Sequence, residues 1–176
     1  MRFVKKFITF GICMLLLSPG YTGAEEYVLV NNLIQGGVSM TDRVPEGFFG
    51  SWKVVSIMSE TNIPQEFSQY NVDIWNLSKT NDVITLSNPV SGARASITVN
   101  DVKGDTVKFE KVTYNKDEKT IETPILTLDG NENFYGIDRI EINTYNKNRL
   151  VKTDFIEYKV RAVKLSGDTI PEIFGN

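Results

Sequence analysis

The chain has no histidine and a single cysteine, Cys13, which sits in an apolar run near its start. Those two absences remove most familiar reaction centres. Without histidine there is no Ser-His-Asp triad and no imidazole general base. Without cysteine beyond position 13 there is no thiolate nucleophile, no His/Cys metal cage and no disulfide in the rest of the chain. Carboxylates remain as acid–base candidates. The 22 Asp and Glu residues are scattered over turns and polar strand faces, however, and no pair stands out. The residues single out no catalytic group, no metal ligand and no cofactor.

Long apolar runs are also missing. The stretch from Phe7 to Leu17 is too short to span a bilayer as a helix. Arg2, Lys5 and Lys6 precede it, Ser18-Pro19-Gly20 breaks it, and Thr22-Gly23-Ala24 offers small residues before Glu25-Glu26. That order is the pattern of a secretory signal peptide over 1–24. It predicts export to the periplasm or the exterior, with no transmembrane span after cleavage. Cleavage removes Arg2, Lys5 and Lys6 and no acid, so the net charge of −3 becomes −6. An acidic chain without a basic, aromatic-interleaved stripe argues against nucleic acid as a partner. A domain of about 150 residues with no disulfide must hold by its core and hairpins alone.

The third deficit is of helix. No stretch keeps a 3.6-residue apolar period over three turns, so crossover connections and a parallel sheet are not expected. What is present is a succession of β-rich runs punctuated by turn residues. Strands are predicted at about 51–58, 71–78, 83–87, 93–100, 105–114, 119–128, 133–144 and 149–164. Asn88-Pro89-Val90-Ser91-Gly92 and Asp129-Gly130-Asn131-Glu132 are strong turn signals between them. Ala93, Ala95, Ile97 and Val99 alternate cleanly with polar residues, as in a strand with one dry face. Val107 and Phe109 fall out of phase with Val112 and Tyr114, which predicts a bulge near Glu110-Lys111. A similar slip predicts another near Asp138-Arg139. Pro124 inside its run predicts an edge or a bulge.

Eight strands with short connections make an all-β, antiparallel up-and-down meander. Closure into a barrel disposes of its edges, and strand irregularities suit the bending that closure needs. A two-sheet β-sandwich is the alternative. The organisation read from the chain is a signal peptide (1–24), an irregular lead-in (25–46), the β domain (47–165) and a C-terminal tail (166–176). In a barrel, Trp75, Phe109, Tyr114, Phe134 and Tyr158 would point inward, either filling the interior or lining a ligand-binding hollow.

Phe48-Phe49-Gly50-Ser51-Trp52 matches an F-x-G-x-W pattern. It resembles the opening of the first strand in the lipocalins and their relatives, the fatty-acid-binding proteins. With Lys53-Val54-Val55-Ser56 it is most similar to bacterial lipocalin-like domains. The resemblance implies an eight-stranded barrel whose closed end is plugged by Trp52, with Gly50 permitting close approach and Arg161 of the last strand stacking on the indole. It further implies a non-catalytic protein that binds a small hydrophobic ligand. The residues alone leave two other functions open. One is a cell-envelope or extracellular interaction module with a filled core. The other is a lipocalin-like enzyme using tyrosine and carboxylate.

Overall fold

The computed structural model describes residues 29–30, 33–34 and 40–171. The segment read as a signal peptide lies outside the described residues, as do positions 172–176. Leu29–Val30 (β1) and Leu33–Ile34 (β2) form a short antiparallel pair. Eight long strands follow: β3 (Gly50–Thr61), β4 (Tyr70–Thr80), β5 (Val83–Ser87), β6 (Arg94–Lys103), β7 (Thr106–Asn115), β8 (Glu118–Asp129), β9 (Asn133–Asn146) and β10 (Arg149–Ser166). Each pairs antiparallel with the next, and β10 returns to pair with β3, so the meander closes into a barrel and the sandwich alternative is excluded.

Alternation decides which side chains enter the barrel. Trp52 and Val54 on β3, Trp75 and Leu77 on β4, Phe109 on β7, Leu126 on β8, Phe134 on β9 and Ile156, Tyr158, Val160 and Ala162 on β10 form one buried cluster. Ala162 is the cross-strand neighbour of Phe134, so its small side chain leaves room for that ring.

The strand irregularities are not where the sequence suggests. The register from Lys108↔Ile125 to Lys111↔Glu122 is unbroken, so β7 has no bulge at Glu110-Lys111. β8 and β9 pair without a shift through Asp138 and Arg139. In both strands the alternation simply continues: Lys111 and Asp138 point inward, while Val112, Tyr135 and Ile137 are exposed outside. The apparent phase slips arise because part of the interior is polar and part of the exterior apolar. Actual shifts lie on β6 between Val99 and Asp101, on β10 between Leu150 and Lys152 and between Lys164 and Ser166, and on β3 between Met58 and Glu60, opposite Tyr158 and Glu157.

Pro124 is neither at an edge nor at a bulge. It is buried in the middle of β8, and the β7–β8 ladder skips Phe109 and Glu110 before resuming in the same register. A proline cannot donate to a ladder, and the gap is where that missing donor falls.

Both ends of the barrel are covered by chain. At one end the last part of the lead-in folds under as two 3-10 turns, Met40–Arg43 and Glu46–Phe48, which bury Thr41, Val44 and Phe48. Lys79 Nζ holds the first turn through Asp42 Oδ1 at 2.5 Å. At the other end Ile63 and Phe67, from the loop between β3 and β4, pack on the core. The Tyr158 hydroxyl donates to the Ser68 carbonyl there at 3.0 Å.

Candidate functional site

The opening Gly50-Ser51-Trp52 stretch builds the first closed end. Gly50 has φ +124°, and a Cβ there would collide with the Ser166 carbonyl oxygen. Only glycine allows β10 to cross so near. Trp52 is fully buried, and its Nε1–H donates to the Phe48 carbonyl at 2.8 Å, which satisfies the one polar group of the indole. Its ring lies 4.7 Å from that of Phe134, centroid to centroid. Phe48 meets Phe109 edge-on at 6.0 Å, and Trp75 tilts against Phe134 at 6.3 Å.

The cation over Trp52 is not Arg161. Arg161 is exposed on the outer face of β10, where odd-numbered positions point away from the core. Lys164 takes the stacking position, three residues later. Its Nζ lies 4.9 Å from the indole centroid and donates to the Gly47 carbonyl at 2.8 Å. The chemistry implied by the resemblance is present with a different residue, because the in/out phase of β10 excludes Arg161 from the interior.

Four of the five aromatic residues read as candidates for a ligand wall are inside, and one is not. Tyr114 is 73% exposed on the outside of β7. Trp75, Phe109, Phe134 and Tyr158 are buried, at 6, 1, 1 and 0% exposure. A side chain facing a water-sized hollow would retain exposed area, so at Phe109, Phe134 and Tyr158 the neighbouring atoms are protein. The closed end is packed.

Above that aromatic layer lies a polar one that the sequence reading missed. Lys111 and Glu122 are cross-strand neighbours on β7 and β8, pointing inward, and form a 2.5 Å ion pair with 11% and 14% of their side chains exposed. Asp138 on β9 is opposite Tyr158 on β10 and is 1% exposed. Its Oδ1 has no hydrogen-bond partner. Burial raises its pKa well above the ordinary carboxylate value. Glu122 adds to the rise, and Lys111 opposes it. Asp73, on β4, is also raised by burial. Its Oδ1 accepts from the Ile74 N–H and from Asn88 Nδ2, while Oδ2 is unpartnered. Burial raises the Tyr158 hydroxyl too, against the effect of the Asn71 amide beside it.

Asp138 and the Lys111–Glu122 pair thus bring carboxyls into one interior layer, and burial favours the protonated form of Asp138, the kind of perturbation that acid–base catalysis exploits. Asp138 is nevertheless sealed from solvent, and a reacting group must be reached by substrate. Strict alternation through 105–114 and 133–144 was the signal that placed Lys111 and Asp138 inside; the expected bulges obscured it.

A broad concavity lies outside the barrel. An open groove of about 850 Å³ crosses the outer faces of β8, β9 and β10. Ile125, Tyr135, Ile137, Lys159, Arg161 and Val163 are among its walls. A Cβ at Gly136 on β9 would collide with the Ile125 carbonyl oxygen, so the close approach of β8 and β9 there requires glycine.

Among the described residues no group of His, Cys, Asp and Glu side chains is gathered to hold a metal ion, and no helix is long and apolar enough to cross a membrane. The geometry defines an eight-stranded, antiparallel, closed up-and-down barrel with an aromatic-packed end. No protein family, curated protein or solved structure matches this chain.

Proposed function

We propose that this chain is an exported, non-catalytic binding module of the lipocalin-like type that works through its outer surface. One observation carries the surface reading: the inward side chains that would have to line a ligand hollow are 0 to 1% exposed at Trp52, Phe109, Phe134 and Tyr158. The covered ends add to it, since Phe48 closes one and the loop bearing Ile63 and Phe67 lies over the other. Lipocalin-like kinship is supported by Phe48-x-Gly50-x-Trp52 opening the first barrel strand and by the eight-stranded closed meander. Export is supported by the charged start, apolar run and small-residue site within residues 1–24.

A carrier of small apolar molecules is the competing reading, and native mass spectrometry of the purified secreted protein separates the two. The expected mass is that of the polypeptide beginning at Glu25 with nothing bound, unchanged by prior organic extraction. A small molecule retained in the native spectrum and lost on extraction would favour carriage instead. A mass that includes residues 1–24 would remove the export reading.

A further inference from the structure

We propose that the groove across β8, β9 and β10 docks an extended protein segment that is apolar and acidic. The inference rests on the surface-module reading and adds where the surface is and what it takes.

The outer face here has an unusual make-up for a solvated strand surface. On one cross-strand row Lys159 stands between Ile57 and Ile137; on the next, Arg161 stands between Val55 and Tyr135. Ile57, Tyr135 and Ile137 are 54, 52 and 37% exposed, and Val163, further along β10, is 54% exposed. Apolar groups this close together on an outer face mark interaction surfaces rather than scattered exposure. Arg and Tyr are the residue types that dominate the energetic centres of protein interfaces, and here they are direct neighbours.

The charges point to the sign of the partner. Among the described residues neither the Lys159 ammonium nor the Arg161 guanidinium has an ion pair or hydrogen bond. The nearest acid along the outer face of β10, Glu157, is already engaged by Arg139 at 4.0 Å and by the Ser59 hydroxyl at 3.0 Å. Asp129 is the one carboxylate lining the groove, at its hairpin end. Two cations without side-chain partners among the described residues, each flanked by apolar side chains, complement a segment whose carboxylates alternate with apolar groups.

Other occupants fit less well. A second copy meeting face to face across a two-fold axis would set Lys159 and Arg161 against their own equivalents. A bilayer is a broad surface, whereas the site is a concavity. The closed barrel wall at this point has both ladders of β9 occupied, so the segment is held by side chains and does not add as a strand.

The test uses the secreted protein and a synthetic peptide alternating leucine with glutamate, titrated by fluorescence anisotropy. Saturable binding is expected, weakened about tenfold or more by the double variant Lys159→Glu/Arg161→Glu and by Tyr135→Ala. Lys147→Glu, on the distant β9–β10 hairpin, should leave it unchanged. Circular dichroism melts confirm that each variant folds, and Lys159→Gln/Arg161→Gln replaces the double reversal if it does not.

Equal binding of a leucine–lysine peptide, or equal affinity in the double variant, would overturn the proposal. So would failure of the peptide to bind while the protein sediments with phosphatidylglycerol vesicles, or a dimer in analytical ultracentrifugation that the double variant abolishes. The two readings fail separately. A retained small molecule appears in the native mass, while loss of this site appears only in the peptide titration.

Discussion

Asp138 is the residue at which the physics of the barrel interior is most exposed to experiment. Its carboxyl is buried with one oxygen unpartnered, and burial, aided by Glu122, raises its pKa well above the ordinary value. The folded state therefore keeps a proton that the unfolded chain gives up above about pH 4. Over that window the native state binds more protons than the unfolded one, so stability falls as pH rises. Asp138→Asn removes this contribution. The variant should match the parent near pH 4 and gain on it towards pH 8, by about 1.4 kcal/mol for each unit of raised pKa. Thermal or urea unfolding of the pair across that range measures the difference, and Asp73, common to both, cancels. A difference that does not change with pH would show that Asp138 is charged in the native protein.

At the same scale, what could be read from the sequence depended on chemistry that is locally unambiguous. Trp52 could be placed because Phe48-x-Gly50-x-Trp52 resembles the opening of the first lipocalin strand. Lys164 was missed although the alternation of Ile156, Tyr158, Val160 and Ala162 already sets Arg161 on the opposite face; the resemblance, not the strand phase, pointed to Arg161. Lys111 and Asp138 were hidden for a different reason. Charged residues are expected outside, and a bulge was the simpler account of an apolar pattern that changes face.

At the scale of elements, turn residues divided the chain well, and every expected strand corresponds to one of β3 to β10. The segments at the two ends of the domain were not legible. Met40–Phe48 reads as irregular chain yet supplies Val44 and Phe48 to the core, since a short 3-10 turn has too little period to register in composition. The tail after β10 is similarly tied. Asn76 Nδ2 donates to the Ile170 carbonyl at 2.7 Å, and the Ile170 N–H donates to Ser51 Oγ at 2.8 Å. Ser51 Oγ in turn donates to Asn76 Oδ1 at 2.6 Å. Ser51 and Asn76 are buried, so the strap satisfies polar groups that would otherwise be sealed without partners. Asn76→Ala should cost about 1–3 kcal/mol and release the Ile170 amide to fast hydrogen exchange. Unchanged protection at Ile170 would mean that the strap does not depend on this network.

For the whole molecule, closure and filling belong together. A meander with no edge to bury can commit its inward side chains to packing, and the alternation of β3 to β10 directs four aromatic rings, Trp52, Trp75, Phe109 and Phe134, into one end, where Phe48 from the second 3-10 turn joins them. The other half carries the Lys111–Glu122 pair, Asp138 and Tyr158, and the loop bearing Ile63 and Phe67 covers it. Barrel closure was foreseeable from eight short-looped strands. Whether the barrel is hollow was not, because that depends on how rings from non-neighbouring strands meet across the interior. The aromatic end is packed by its own side chains, and the proposed surface reading places binding on the exposed apolar and cationic face of β9 and β10.

The most direct test of that account is a crystal structure determined under xenon pressure, since xenon enters dry apolar cavities. The account predicts no xenon between Trp52 and Tyr158 inside the barrel. A xenon atom, or density for a bound molecule, within that interior would contradict it.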